Sequence, residues 1–266
     1  MKDTARGTTV MAGLMAATAG AMLLPAAVGF TLGEHDSARA FIYAACLLGS
    51  LAGLIYLARR NLRRGPGALS HPFYILTTAY LLVPLLMGLS VTVAAPGGLP
   101  LFDAWVEMVS AFTTTGATAL DPDVPRSLLV WRALAAWLGG LFVLVYASAL
   151  LAPMNLGGFE LVTARTQAVG RLPGWSRKMR TTQIGAEAGQ ADLDRLWSHI
   201  GAIAPAYAGV TGLLWGLLSM QGTPPLVALV YAMSTLSTSG IAPQWGGPGG
   251  LGAELLIALF LGLALT

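Results

Sequence analysis

Residues 107–118 read Glu-Met-Val-Ser-Ala-Phe-Thr-Thr-Thr-Gly-Ala-Thr, and a related stretch at residues 231–242 reads Tyr-Ala-Met-Ser-Thr-Leu-Ser-Thr-Ser-Gly-Ile-Ala. The two stretches align without a gap at an offset of 124 residues. A pattern that occurs twice in one chain predicts a structural unit that also occurs twice. The identical pairs include Ser110 with Ser234, Thr114 with Thr238 and Gly116 with Gly240.

Each stretch overlaps the end of a short apolar segment, Leu101–Phe112 in the first copy and Pro225–Leu236 in the second. A membrane-spanning helix needs about 20 apolar residues, so these segments are too short to cross. We therefore expect each one to form a helix that enters the membrane and returns to the outer side. Backbone that leaves a helix at membrane depth must be buried in protein or line a water-filled cavity.

The Thr/Ser-Gly residues after each segment have the composition of an ion-conducting loop. β-branched and small residues around a glycine favour an extended strand with one kink, because glycine reaches unusual backbone angles cheaply. Successive carbonyl oxygens of such a strand can replace the hydration shell of an alkali cation. The alternative is a close helix–helix contact, where Ser, Thr and Gly are also common in membranes. The duplication of the pattern favours the pore.

The composition of the whole chain is that of a membrane protein. Of its 266 residues, 55% are hydrophobic and 10% are charged, and the mean hydropathy is +0.69. A soluble domain carries about 25% charged residues, so the composition argues against a soluble enzyme. The single cysteine, Cys46, excludes a disulfide framework, and the three histidines lack metal-ligand spacing.

Five apolar stretches are long enough to cross a membrane, and a sixth is cut short at the end of the chain. We expect the sequence to be a fragment of a longer polypeptide or a shortened gene product. The six stretches are Thr8–Gly33, Ala40–Ala58, Pro72–Ala94, Leu128–Leu151, Trp197–Met220 and Leu251–Thr266.

The distribution of lysine and arginine predicts the orientation of these spans. With the N-terminus in the cytoplasm, 12 of the 15 basic residues fall on the cytoplasmic side. This topology signal explains the basic runs, including Arg59–Arg64, without a nucleic-acid partner. We expect a multi-pass protein of the bacterial inner (plasma) membrane.

Two lone charges lie inside apolar segments. Glu107 is predicted to hydrogen-bond the loop beside it, and its counterpart in the second copy is Tyr231, so the carboxylate is not part of a symmetric ion ring. Arg132 is predicted to extend outward to the interface or to pair with Asp121 or Asp123. Glu107, next to the proposed pore, is a functional candidate, and the bond to the loop is the structural alternative; a structural role is expected for Arg132.

The residues of the first copy resemble the Trk/Ktr/HKT superfamily of potassium transporters, specifically its TrkH-type membrane subunit. The stretches that carry the resemblance are Glu107–Thr118, Leu128–Arg132, Trp137–Gly140 and Pro153–Gly158. In that family four repeats surround one pore after an N-terminal two-span unit. The resemblance implies an all-α polytopic membrane protein with two span–pore-helix–filter–span repeats. The implied divisions are residues 1–70 for the two-span unit, 71–158 for the first repeat, 159–196 for a cytoplasmic linker and 197–266 for the truncated second repeat.

The resemblance also implies the function and the site. Potassium would cross through a filter of backbone carbonyl oxygens, without covalent chemistry, so the chain is not expected to be an enzyme or to bind a cofactor. Main-chain oxygens of Thr114, Thr115, Thr238 and Ser239 would hold the ion. The full set of implied ion-binding residues is Thr114, Thr115, Gly116, Ala117, Thr238, Ser239, Gly240 and Ile241.

Two filter loops make half of such a ring, so partners are expected. The missing repeats would come from a second copy in a homodimer, from a different chain, or from a longer parent protein. By resemblance, a cytosolic nucleotide-binding regulatory subunit would face the linker, and lipid would surround the spans. The alternative function is a non-conducting membrane scaffold that retains the helical repeats. The residues alone do not choose between potassium and sodium.

Overall fold

The computed structural model describes residues 4–59, 72–121, 123–151, 180–243 and 245–265, and these residues form eight α-helices. The expectation of an all-α chain is confirmed for the described residues. The helices are α1 (Thr4–Thr31), α2 (His35–Arg59), α3 (Pro72–Ala94), α4 (Leu101–Phe112), α5 (Arg126–Leu151), α6 (Arg180–Met220), α7 (Pro225–Leu236) and α8 (Leu251–Leu265).

Three helices contain segments long and apolar enough to cross a membrane: His35–Ala58, Arg126–Ser148 and His199–Met220. Three of the predicted spans, in α2, α5 and α6, are thereby supported. The other three coincide with α1, α3 and α8, whose described apolar stretches are shorter, and they stay predictions.

The two short helices α4 and α7 begin and end at the residues predicted from the sequence. Each follows a proline, Pro100 or Pro224, with nearly the same backbone angles: φ is −53° in both, and ψ is 143° and 136°. Proline fixes φ and has no N–H to leave unpaired at a helix start. The helix–short helix–loop–helix unit therefore occurs twice, as α3–α4–loop–α5 (the first unit) and as α6–α7–loop–α8 (the second unit).

Each short helix is fastened to the long helix that precedes it. The indole N–H of Trp105 in α4 donates to the carbonyl of Leu81 in α3, at 3.1 Å. In the second unit the indole N–H of Trp215 in α6 donates to the carbonyl of Pro225 in α7, at 2.9 Å. Gly88 lets α3 approach closely, since a Cβ there would lie 3.1 Å from the carbonyl oxygen of Ala104.

The hairpin of α1 and α2 is attached to the start of α5 by one carboxylate. Glu34 accepts hydrogen bonds from the backbone N–H groups of Arg126 (2.8 Å) and Ser127 (2.9 Å), and from the Ser127 hydroxyl (2.7 Å). A carboxylate at this position satisfies unpaired N–H groups and complements the helix dipole. Glu34 thus caps a helix that begins 92 residues later in the chain.

The predicted divisions of the chain are partly outside the described residues. The family-like stretch Pro153–Gly158 and the boundary at residue 159 lie there. Helix α6 begins at Arg180, within the segment predicted to be a linker. The domain boundaries stay predictions.

Helix α5 lies at the centre of the packing. Its residues from Ser127 to Ala136 are all buried, and it packs against α1, α3, α4, α6 and α7. A helix that is buried all round must be apolar all round, which this stretch of α5 is except at Ser127 and Arg132. The half of α5 that follows contains Gly139 and Gly140, where the two short helices meet it.

Candidate ion-binding site

The first short helix ends in a turn that is closed by two backbone hydrogen bonds. The N–H of Thr114 donates to the carbonyl of Ala111 (2.9 Å), and the N–H of Thr115 donates to that of Ser110 (3.0 Å). Thr114 has a φ of +58°. Together these are the two bonds and the left-handed residue of a Schellman motif. We call Thr113–Ala119 the first loop.

The second short helix ends in the same way. The N–H of Thr238 donates to the carbonyl of Thr235 (3.1 Å), and the N–H of Ser239 donates to that of Ser234 (3.0 Å). Thr238 has a φ of +54°. These donors and acceptors are the first loop's, shifted by 124 residues. We call Ser237–Pro243 the second loop.

Two residues in each loop have left-handed backbone angles, which differs from the predicted strand with a single glycine kink. Gly116 and Gly240 have φ values of +74° and +69°, as expected, but Thr114 and Thr238 are also left-handed. A β-branched residue rarely adopts this conformation, which costs about 1–2 kcal/mol. The physical reason is the Schellman closure, which requires a left-handed residue directly after the last helical turn. The expectation of one kink is therefore wrong.

This geometry directs the carbonyl oxygens of the first loop away from its helix. The N–H groups from Thr113 to Gly116 all donate back to carbonyls of α4. When left-handed residues alternate with others, successive N–H groups face one side, and the carbonyls face the opposite side. Within the part of the chain that the structure describes, the carbonyl oxygens from Thr113 to Gly116 accept no hydrogen bond.

The two loops touch each other at one point. A Cβ added to Gly116 would overlap the carbonyl oxygen of Ser239, and it would lie 3.8 Å from the Cγ1 atom of Ile241. A Cβ added to Gly240, by contrast, would meet no atom within 4 Å. The predicted site residues of the two copies are therefore neighbours in space, and the site is open on the side of Gly240.

Two adjacent glycines of α5 receive the ends of both short helices. A Cβ on Gly139 would overlap the carbonyl oxygen of Phe112, the last residue of α4. A Cβ on Gly140 would lie 3.2 Å from the Cα of Ser237 and 2.9 Å from the hydroxyl of Tyr207. Small residues allow helices to approach closely inside a membrane. Here they hold the two loops at a common level.

The predicted ion-binding residues differ in exposure. Ser239 and Ile241 are buried, Thr114 and Gly116 are half-buried, and Thr115, Ala117, Thr238 and Gly240 are exposed. The carbonyl of Ala117 already accepts hydrogen bonds from the Ser110 hydroxyl (2.6 Å) and from Arg132 (3.3 Å). Its oxygen is therefore less available to an ion than those that precede it in the loop.

The hydroxyl groups of the two loops form different networks. In the first loop the hydroxyls of Thr113 and Thr115 lie 2.9 Å apart. In the second loop the Ser237 hydroxyl donates to the Ser239 hydroxyl (3.0 Å), which donates to that of Ser234 (3.2 Å). The second network is buried.

A buried ion pair lies behind the first loop. Glu107 Oε1 and Arg132 Nε are 2.6 Å apart, and their side chains are 3% and 5% exposed. Glu107 Oε2 accepts a hydrogen bond from the N–H of Ala119, at 3.1 Å, so the expected bond between Glu107 and the loop is confirmed. The alternatives predicted for Arg132, outward extension or pairing with Asp121 or Asp123, are wrong. Two buried opposite charges are most stable when paired, and the signal was an acidic residue, Glu107, inside one apolar segment and a basic residue, Arg132, inside the next.

These features define an α-helical membrane protein in which one helix–short helix–loop–helix unit occurs twice. No protein-family model matches the chain. The chain is 31% identical over 176 residues to the Trk system potassium uptake protein TrkI of Halomonas elongata, covering 64% of this chain and 31% of that protein. It is 24% identical over 247 residues to TrkH of Salmonella typhimurium, covering 91% and 47%.

The fold matches the crystal structure of the potassium transporter TrkH from Vibrio parahaemolyticus. The TM-score is 0.66 at 21% identity, and the match covers 95% of this chain and 48% of that one. The chain is a homologue of the Trk system potassium uptake proteins TrkH, TrkI and TrkG, and it spans less than half the length of these relatives. The predicted resemblance is confirmed, and the similar proteins are named for potassium uptake, which agrees with the expectation that the chain is not an enzyme.

Proposed function

We propose that the chain forms part of a potassium-conducting pore in which carbonyl oxygens of the first and second loops bind the ion. One observation supports this most: two loops 124 residues apart share their left-handed positions and touch at Gly116 and Ser239. Strained backbone that recurs at equivalent positions is typical of functional sites. The homologous proteins are named for potassium uptake.

The ligands in this proposal are main-chain oxygens of Thr114, Thr115 and Gly116 and their counterparts Thr238, Ser239 and Gly240. Carbonyl oxygens replace the hydration shell of a potassium ion without any titratable group. The ends of α4 and α7 that adjoin the loops are their C-terminal ends, which have partial negative charge and favour a cation. Ala117 and Ile241 stay in the proposed site as its outer residues.

The open side of Gly240 supports the need for further loops. Gly116 is packed against the carbonyl of Ser239, whereas no atom of the described residues lies within 4 Å of a Cβ placed on Gly240. We propose that further loops, from a longer parent protein, another chain or a second copy, complete the ring beside Gly240. The proposed membrane is the bacterial inner membrane, with the N-terminus in the cytoplasm. The regulatory subunit implied by resemblance would face residues 159–196.

Growth of a potassium-uptake-deficient bacterial strain tests the proposal. The chain, expressed with its adjacent reading frames, should restore growth at low potassium. Gly116→Ser should abolish uptake or admit sodium, because its side chain would overlap the Ser239 carbonyl. Gly262→Ser in α8 is the control, since a Cβ there would meet no atom within 4 Å. Unchanged potassium uptake and selectivity in Gly116→Ser would instead favour the non-conducting scaffold.

A further inference from the structure

We propose that the Glu107–Arg132 ion pair positions the first loop and thereby sets the ion preference of the pore. This inference rests on the proposed function, because it assigns an effect on selectivity to residues that do not touch the ion. The pair is formed between α4 and α5, on the two sides of the first loop in the sequence.

The two charged side chains hold the loop at two separate backbone groups. Glu107 Oε2 accepts the N–H of Ala119, and an Arg132 guanidinium N–H donates to the carbonyl of Ala117. The ion pair therefore connects both bonds in one continuous chain of contacts. Each bond has a charged side chain as one partner, at 3.1 Å for Ala119 and 3.3 Å for Ala117, so the ion pair restrains both peptide groups.

The held peptide groups are next to the proposed ligands. The carbonyl of Ala117 is one residue beyond that of Gly116, which accepts no hydrogen bond in the described part of the chain. Fixing the Ala117 carbonyl restricts how far the Gly116 peptide can rotate. Selectivity for potassium over sodium has been assigned to the size of the filter cavity and to the field of its carbonyl dipoles, and both depend on where the carbonyl oxygens lie. Loosening the ion pair should therefore change selectivity before it stops permeation.

The second loop has no such pair, which makes the effect specific to one side of the pore. The counterparts of Glu107 and Arg132 are Tyr231 and Leu256, and these cannot form an ion pair. Arg132 also lines a small cavity together with Asp121 and Trp245, and Trp245 follows the second loop. Arg132 thus lies where the end of the first loop adjoins Trp245, the residue that comes shortly after the second loop.

The experiment compares ion preference among matched variants in the intact transport system. Potassium and sodium uptake are measured for the wild type, Glu107→Gln, Arg132→Gln and the control Tyr231→Phe. Glu107→Gln and Arg132→Gln should lower the ratio of potassium to sodium uptake by roughly tenfold or more, and Tyr231→Phe should leave it unchanged. A wild-type ratio in both glutamine variants would overturn the proposal.

If the glutamine variants do not accumulate in the membrane, the ratio of potassium to sodium uptake is measured in Glu107→Asp and Arg132→Lys instead. Both keep the charge but change the reach or the hydrogen-bonding geometry of the pair. A lowered ratio in either variant supports the proposal, and wild-type ratios in both overturn it.

Amide exchange separates failure of this inference from failure of the proposed function. The N–H of Ala119 should exchange faster in Glu107→Asp than in the wild type, roughly tenfold, because its acceptor is displaced. Unchanged exchange overturns the positioning role, whatever the pore does. If the Ala119 N–H exchanges faster in Glu107→Asp but the wild-type system moves no potassium, the positioning role of the ion pair is supported and the pore is rejected.

Discussion

The first and second loops have the same backbone and different supports. Both close on a left-handed threonine and contain a left-handed glycine two residues later. The first is held by the buried Glu107–Arg132 pair, whereas the second is held by buried serine hydroxyls and by the buried side chain of Ile241. The main-chain geometry is repeated and the side-chain contacts are not, so what the two loops have in common is the position of their peptide groups. This is what a site made of carbonyl oxygens demands.

The largest difference in stability between variants of the two units should appear when the Glu107–Arg132 ion pair is broken. Arg132→Met leaves the Glu107 carboxylate buried without its partner, so we expect a loss of about 3–5 kcal/mol in the free energy of unfolding. Leu256→Met, at the equivalent position of the second unit, should cost less than about 1.5 kcal/mol because volume is nearly kept. Reversible unfolding in detergent measures both.

The double variant Glu107→Met with Arg132→Met checks the cause of that loss. Removing both charges should recover much of the stability, since a buried pair contributes little over apolar residues of similar size. A double variant that is as unstable as the sum of the single variants would show that packing, not charge, holds the first loop.

A smaller difference is expected at the two left-handed glycines. Gly116→Ala and Gly240→Ala both place a Cβ on left-handed backbone, at a cost of about 1–2 kcal/mol each. Gly116→Ala also overlaps the Ser239 carbonyl, which should add about 1–3 kcal/mol. Thermal unfolding and potassium uptake should both be affected more in Gly116→Ala. Equal effects would mean that another loop fills the space beside Gly240 in the intact protein.

Of the two glycines in α5, Gly139 should lose more stability than Gly140 when changed to alanine, and both losses should be smaller than that of Gly116→Ala. A Cβ on Gly139 overlaps the carbonyl of Phe112, but alanine favours the helix by about 1 kcal/mol, so we expect a net loss of about 1–2 kcal/mol. Gly140→Ala should lose less, because the Tyr207 ring can move its hydroxyl away and the 3.2 Å contact with the Cα of Ser237 requires only a small shift. The unfolding midpoints of the two variants test this, and a larger loss in Gly140→Ala would contradict it.

Much of the fold could be predicted because it depends on local patterns. The bounds of α4 and α7 followed from two short apolar segments, each with a Thr/Ser-Gly run at its end. The repeat was visible from spacing alone. Contacts between distant segments could not be predicted, since periodicity does not tell which charges meet. Arg132 was therefore given the wrong partner, and the cap that Glu34 forms on α5 was not foreseen.

The left-handed threonines were missed for a different reason, because propensity predicts glycine at such positions and the hydrogen bonds of the helix end override it. The Schellman closure at each helix end sets the φ angle of Thr114 and Thr238, whichever residue type occupies the position. The loop carbonyls are also directed by this closure rather than by an extended strand. Sequence reasoning thus predicted the two loops but not the backbone conformation that exposes their carbonyl oxygens.

The smallest effects, equal in the two loops, are expected when the left-handed threonines become glycine. Thr114→Gly and Thr238→Gly each relieve about 1–2 kcal/mol of backbone strain and add about 0.4–1 kcal/mol of freedom to the unfolded chain. Each should therefore stabilise the protein by about 0.5–1 kcal/mol, since neither side chain forms a hydrogen bond within the described residues. Unfolding midpoints of the two variants measure the gain. If the backbone of the loops is equivalent, the two gains agree; a loss of stability in one loop alone would show that its threonine has a contact that the other lacks.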